Sequence, residues 1–175
     1  MNDHGPDRKK AFRFCPSCGG ELGWTVIRKT EPPRLKCRRC GFVFYLDPKV
    51  AACTVIDRDG SILLVRRAIP PEIGKWVVPG GFVDLMEPVE AAAVRETREE
   101  ANIDVSIDRL LGVYSYPDSE VVVVVYTARW DHGEIEAGDE VSEARLFAYD
   151  AVPWDDLAFR STEDALRDYL NFKGA

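Results

Sequence analysis

Twenty-three residues, Gly81 to Ile103 (GFVDLMEPVEAAAVRETREEANI), constrain this chain more than any other stretch. They follow a short apolar run, Trp76-Val77-Val78-Pro79, and Gly80. The pair Gly80-Gly81 permits a tight turn and a close approach of backbone to ligand. Pro88 stands where a helix opens, at the first position that tolerates proline. Glu87 is then the N-cap, where Ser, Thr, Asp or Asn is the usual choice. Residues 88–101 are mostly Ala, Glu, Arg and Val without internal Gly, which predicts a helix. Asn102 suits a left-handed cap at its end.

On a helix, Glu96, Glu99 and Glu100 fall within an arc of about 100°. Val94, Thr97 and Ala101 lie roughly opposite and face a core, while small Ala92 leaves room beside the acids. Like charges at i,i+3 and i,i+4 repel. A chain built for stability alone avoids such a cluster, and a hard divalent cation held by oxygen relieves it. The alternative reading is a solvated charged face.

Gly81, Glu87, Arg95-Glu96, Glu99-Glu100 and Ile103 carry a resemblance to the Nudix box. Thr97 replaces an apolar residue of that pattern and Asn102 replaces its last Gly. The resemblance spans about residues 50–172. It implies an α/β/α sandwich with a mixed sheet, and hydrolysis of a nucleoside diphosphate linked to another group. It also implies that Glu96, Glu99 and Glu100 bind Mg²⁺ or Mn²⁺, with a backbone carbonyl from Gly80. Arg95 would orient the carboxylates with Glu87, and Gly80 and Gly81 would approach the substrate. The general base stays open between a box glutamate and a later acid, Glu134, Glu140 or Glu143.

Four of the five cysteines form two Cys-x-x-Cys pairs, Cys15/Cys18 and Cys37/Cys40, eighteen residues apart. Four thiolates from two tight turns suit tetrahedral Zn²⁺ in a closed, structural zinc ribbon, and a redox dithiol is the weaker alternative. A module of this size has little core of its own and needs a staple. Residues 1–12 are expected to be a flexible N-terminus, 13–47 the ribbon and 48–175 the main domain, with the boundary at Asp47-Pro48. Charge divides the same way: the chain is −7 overall, yet residues 1–47 are basic and the rest strongly acidic. The acidic domain argues against nucleic acid as a partner. The first residues lack the apolar segment of a secretory signal. No run approaches the roughly 20 apolar residues of a membrane span. A cytoplasmic location is expected, with a small-molecule nucleotide as partner; a homodimer is compatible.

Trp24–Ile27 and Phe42–Tyr45 read as ribbon strands. Val50–Ile56 and Ile62–Val65 read as a hairpin turned by Asp59-Gly60. Cys53 reads as a small residue in the first arm. Arg66 and Arg67 leave the second arm together, either as a solvated strand end or with one, Arg67, on a substrate phosphate. Residues 68–75 form a loop. Two strands follow the box helix, 103–116 and 121–130, the second with five consecutive valines suggesting burial on both faces. Residues 131–143 read as a flexible acidic loop with an exposed His132. A strand over 144–149, a helical turn over 150–157 and a helix capped by Ser161 complete an α/β fold.

A zinc ribbon ahead of a Nudix domain resembles two groups. NADH pyrophosphatases carry Ser-Gln-Pro-Trp-Pro-Phe-Pro after the box, where this chain reads LLGVYSYPDSEVVVVVY. The tail ARLFAYDAVPWDDLAFRSTEDALRDYL resembles enzymes acting on ADP-ribose and FAD, so ADP-ribose or FAD is the expected substrate. NADH, or a non-catalytic nucleotide-sensing module whose ribbon touches nucleic acid, is the alternative. Tyr114, Tyr116 and Phe82 are candidates to stack on adenine, or core residues.

Overall fold

The computed structural model describes residues 12–174. The loose N-terminus expected over 1–12 lies, except for Phe12, outside them. The chain divides into two compact units, residues 1–47 and 48–175.

The first unit is a three-stranded antiparallel sheet in the order β1-β2-β3, with β1 at Leu22–Thr25, β2 at Arg34–Cys37 and β3 at Val43–Phe44. β2 has no counterpart in the sequence reading, because Arg34-Leu-Lys-Cys buries only alternate residues and reads as polar. Leu22, Leu35, Cys15 and Cys37 make its small core, with the Phe12 ring tilted at 56° against that of Phe44.

The second unit is a mixed sheet with a helix packed on each face. The strands are β4 (Lys49–Arg58), β5 (Ser61–Arg67), β6 (Trp76–Val77), β7 (Gly80–Phe82), β8 (Ile103–Tyr114), β9 (Val121–Gly133) and β10 (Val141–Ala148). Their order is β10-β5-β4-β9-β8, with β6 on β5 and β7 on β4. β4 and β9 run parallel; the other pairs are antiparallel. Helix α1 is Val89–Ala101 and α2 is Arg160–Lys173, preceded by 3₁₀ turns at Tyr149–Ala151 and Trp154–Asp156.

β5 explains the layering. Ile62, Leu63, Leu64 and Val65 are all buried, because successive side chains point to opposite faces and both faces are covered. Ile62 and Leu64 pack with Ala165, Leu166 and Tyr169 of α2. Leu63 and Val65 pack with Ala101 of α1. The Asp59-Gly60 turn forms with both residues at positive φ, which a two-residue hairpin turn of this kind requires.

Four expectations change. Val121–Val124 are only half-buried, because they lie toward the end of the sheet, and Val125 is the first buried valine of the run. The acidic loop shrinks to residues 134–140, its flanks being absorbed into β9 and β10. α2 begins at Arg160 with Phe159 as N-cap and no side-chain cap bond, so Ser161 is not the cap. Arg66 and Arg67 remain in β5, paired with Glu143 and Val141 of β10. Among the described residues no helix is long and apolar enough to cross a membrane.

Candidate active site

β4 is shared along one edge. Its later residues pair with β5, while Ala51–Cys53 pair with the short β7. This brings Gly80-Gly81 under α1, and each glycine is required for its own reason. Gly80 has φ +154, and a Cβ there would lie 2.5 Å from both the Ala52 carbonyl oxygen and Cys53 Sγ. A Cβ on Gly81 would lie 2.5 Å from the Glu96 carboxylate. The missing side chain at 81 is the space that Glu96 occupies.

α1 buries Ala92, Ala93, Thr97 and Ala101. Thr97, the polar replacement at an apolar position, donates to the Ala93 carbonyl at 2.8 Å and pairs with Thr54 Oγ1 at 2.7 Å. A buried hydroxyl so satisfied costs little. Asn102 closes the helix at φ 56, its N–H bonded to Arg98 O. The helix opens one residue later than the sequence implies. Pro88, in extended conformation, is the N-cap, and its carbonyl accepts the Ala92 N–H. Glu87 is therefore not a cap. Its carboxylate turns back to accept the Asp84 N–H at 3.0 Å and a two-pronged bond from Arg95, at 2.8 and 2.9 Å.

Arg95 organises the surface. Besides Glu87, its Nη1 donates to Glu96 at 2.8 Å and Glu99 at 3.0 Å, and its Nη2 to the Phe82 carbonyl at 3.1 Å. These bonds hold the Glu87 carboxyl down at about 2 and push the arginine further up. Glu100 points elsewhere, accepting the Gly80 N–H at 2.9 Å. It is 9% exposed. Burial, reinforced by the neighbouring charges of Glu96 and Glu140, pushes its carboxyl up to about 7 against the Gly80 bond and Arg67. Burial also raises Glu96. Cys53, beneath Gly80, has its thiol driven up to about 12 by burial and then by Glu100 and Glu96, which makes it a poor nucleophile.

Of the three later acids, Glu140 is the one whose charge acts on Glu96, Glu100 and Arg67 together. Glu143 is near Arg66 and Arg145, and Glu134 offers its carbonyl to Asn102. The Arg67 guanidinium donates to the carbonyls of Pro71 and Ile69 and lies 5.1 Å from the Phe159 ring. Arg66 is spent on Gly74 O. The tyrosines lie on the other side of the sheet. Tyr114 and Tyr116 donate to Asp168 and Asp164 of α2, along a groove of about 470 Å³. Phe82 is half-exposed, with Lys49 4.4 Å from its ring. His132 is exposed and 3.0 Å from Asp104.

The segment after β9, which the sequence offers only as a flexible source of a candidate base, is held by backbone bonds. Gly138 N–H donates to Glu100 O and Glu136 N–H to Ala101 O, so the acidic segment lies against the C-terminal turn of α1. A glycine amid acids reads as a flexible loop; here it marks close backbone contact.

Oxygen-only donors, a buried carboxylate beside a second one, and a glycine gap filled by Glu96 fit a hard divalent cation. In the first unit, the four thiols of Cys15, Cys18, Cys37 and Cys40 lie within 4.8 Å of one another. Cys15–Cys40 and Cys18–Cys37 are 3.8 and 3.5 Å apart, close to the roughly 3.8 Å between sulfurs around tetrahedral Zn²⁺. The Cys40 N–H bond, followed by that of Arg39, lowers the Cys37 thiol to about 6, favouring thiolate. Gly20 has no room for a side chain, since a Cβ would meet Arg39 Cβ at 2.7 Å and Cys37 Sγ at 3.0 Å.

Comparison with known proteins agrees with this geometry. The NUDIX domain family matches residues 46–168, and the Nudix N-terminal zinc-ribbon family matches residues 13–46. The chain is 40% identical over 133 residues to an ADP-ribose pyrophosphatase of Methanocaldococcus jannaschii, covering 74% of this chain and 77% of that protein. It is 33% identical over 147 residues to the NAD-capped RNA hydrolase NudC of Escherichia coli, covering 82% of this chain. It spans only about half of that hydrolase's length (54%). A crystal structure of a NUDIX hydrolase from Nitrosomonas europaea superposes with a TM-score of 0.87 at 36% identity, over 93% of each chain. With Glu96, Glu99 and Glu100 in the last turns of α1, Gly80 and Gly81 against two of them and a four-cysteine module ahead in the sequence, the chain belongs to the Nudix hydrolase family.

Proposed function

We propose that the protein is a metal-dependent pyrophosphohydrolase that cleaves a nucleoside diphosphate derivative, ADP-ribose foremost, by attack of water at phosphorus. One observation carries this reading: Glu100 is buried beside Glu96 with like charges about it, opposed by Arg95 at Glu96 and by Arg67 at Glu100. Glu96, Glu99 and Glu100 would hold Mg²⁺ or Mn²⁺, with the Gly80 carbonyl as a further oxygen. When bound, such an ion shields diphosphate charge and makes water a competent nucleophile. Arg95 sets the positions of Glu96 and Glu99, and Glu87 locks Arg95. Glu140, the later acid whose charge reaches Glu96 and Glu100, would serve the same ion or the water that it activates. Arg67 offers the nearby positive charge for a phosphate. The cysteine quartet would hold Zn²⁺ as a closed structural centre, and purified protein should contain about one zinc per chain.

ADP-ribose is favoured by the 40% identity to the Methanocaldococcus jannaschii enzyme and by the absence of the Ser-Gln-Pro-Trp-Pro-Phe-Pro segment. FAD remains a second member of the same class, supported by the tail alone. Cleavage of NADH or an NAD-type cap is the second reading, favoured by the NudC match. A panel of ADP-ribose, FAD, NADH and NAD-capped RNA, with products identified by mass spectrometry, separates these. The highest kcat/KM is expected for ADP-ribose. A strong preference for NADH or the capped RNA transfers the protein to the second reading, and no turnover with any metal leaves a nucleotide-binding module.

A further inference from the structure

The acids of the site come from two places, α1 and the segment between β9 and β10. The structure shows how tightly the two are joined. The last turn of α1 carries Glu99 and Glu100, and the peptide groups of residues 99–102 are the surface on which the later segment rests. Glu136 N–H donates to Ala101 O and Gly138 N–H to Glu100 O, each at 3.2 Å. Asn102 Nδ2 donates to Glu134 O at 3.3 Å. On the far side, the Glu140 carbonyl accepts the Ala68 N–H at 2.9 Å, tying the segment to the end of β5. The Glu140 backbone is thus held between the helix end and β5, and its charge acts on Glu96, Glu100 and Arg67.

Gly138 is the contact point. A Cβ there would lie 1.9 Å from the Glu99 carbonyl oxygen and 3.0 Å from its carbon. Neither atom is the far end of a flexible side chain; both belong to the helix backbone. The φ of Gly138 is not among the positive values, so space rather than conformation demands glycine. Any side chain must lift the segment by roughly 1 Å to reach a tolerable contact, a displacement on the scale that misaligns a catalytic constellation.

We propose that Gly138 is a positioning residue: by seating the segment directly on the Glu99–Glu100 backbone, it sets Glu140 against Glu96 and Glu100, making one oxygen-donor site from two elements. This rests on the divalent-metal pyrophosphohydrolase reading. The same contact satisfies the C-terminal carbonyls that a helix end leaves open, so cap and site share one set of bonds.

The test is a double-mutant cycle read by Mn²⁺ binding, followed by electron paramagnetic resonance on the intact chain without substrate. Glu140→Gln is expected to weaken Mn²⁺ by about tenfold, and Gly138→Ala by a similar factor, the range found when a ligand's supporting contact is lost. The double variant should be no weaker than the poorer single variant, because both changes remove the same carboxylate from the site. Asn102→Gly keeps the left-handed cap and removes the bond to Glu134, and its cycle with Glu140→Gln stands in if Gly138→Ala does not fold. Losses that multiply in the double variant overturn the proposal. So does a Gly138→Ala protein with lowered Tm and unchanged Mn²⁺ affinity, or a Glu140→Gln protein that binds as the parent does. Coupled Mn²⁺ losses in a protein that cleaves no diphosphate would sustain the positioning and sink the pyrophosphohydrolase reading.

Discussion

Two carboxylates in the Nudix unit, Asp57 and Glu100, are treated in opposite ways. Asp57, at the end of β4, accepts bonds from Tyr149, from Tyr169 at 2.7 Å and from Gly60 N–H at 3.1 Å, with Lys173 at 3.4 Å. Burial works against its charge, yet the tyrosine and lysine bonds outweigh it and hold the carboxyl below the usual range. Glu100 accepts one backbone N–H, faces two other acids and is pushed up to about 7. The first site joins hairpin, 3₁₀ turn and α2, and its charge is complete without help. The second is incomplete within the protein. A charge that the fold satisfies stabilises; one that it leaves unsatisfied is available to bind.

Substitution should separate the two sites most sharply. Glu100→Gln should lower kcat/KM by about 10²–10³-fold, the scale of losing one stabilising group in a transition state, with Tm unchanged or raised because repulsion falls. Asp57→Ala should do the reverse, costing about 3 kcal/mol by stranding the groups that faced it, with turnover per folded molecule intact. Thermal melts and steady-state kinetics on the same preparations decide; a Glu100→Gln protein that melts early would erase the contrast.

The adjacent glycines give a smaller version of the same test. Gly80→Ala meets backbone and a strained φ, and should cost about 2 kcal/mol. Gly81→Ala meets the movable Glu96 carboxylate first, so Tm should hardly move while kcat falls by about tenfold. Equal effects of the two on stability would show that Gly81 is not a space kept for Glu96.

The smallest effect is in pH. Asp57 has a depressed folded pKa, so its stabilisation is present above the ordinary carboxylate pKa and is lost as pH falls through the folded value. Glu100 has a raised folded pKa, so it destabilises metal-free protein above about pH 7. That penalty disappears as pH falls from 7 toward the ordinary glutamate range. Without metal, the difference in Tm between Glu100→Gln and the parent should therefore narrow from pH 8 to pH 5. For Asp57→Asn, the difference should persist to lower pH. A constant Glu100→Gln difference would contradict the burial of an uncompensated charge.

The sequence made α1, its acids and its Asn102 end legible, because helix propensity, spacing and a left-handed cap are local properties. The Asp59-Gly60 hairpin was legible for the same reason. Glu87 was misread as a cap because its partner Arg95, eight residues away, outcompetes the helix amides for its oxygens. Arg66 and Arg67 looked like a strand end because their pairing partner, β10, lies more than seventy residues further on. Gly138 was hidden for a related reason: its requirement comes from Glu99, a contact across the fold with no local signature. What the sequence could not show was the coupling of distant segments, and the placing of Arg67, Gly138 and Glu140 beside the box depends on it.

The most direct test of the central claim is hydrolysis of ADP-ribose in ¹⁸O-water with Mg²⁺ or Mn²⁺, and products resolved by mass spectrometry. Attack by water at phosphorus predicts one heavy oxygen in the phosphate of a single product, with turnover abolished by EDTA and restored by the metal. Turnover that survives both EDTA and Glu100→Gln, or products whose phosphates carry no label, would contradict the account.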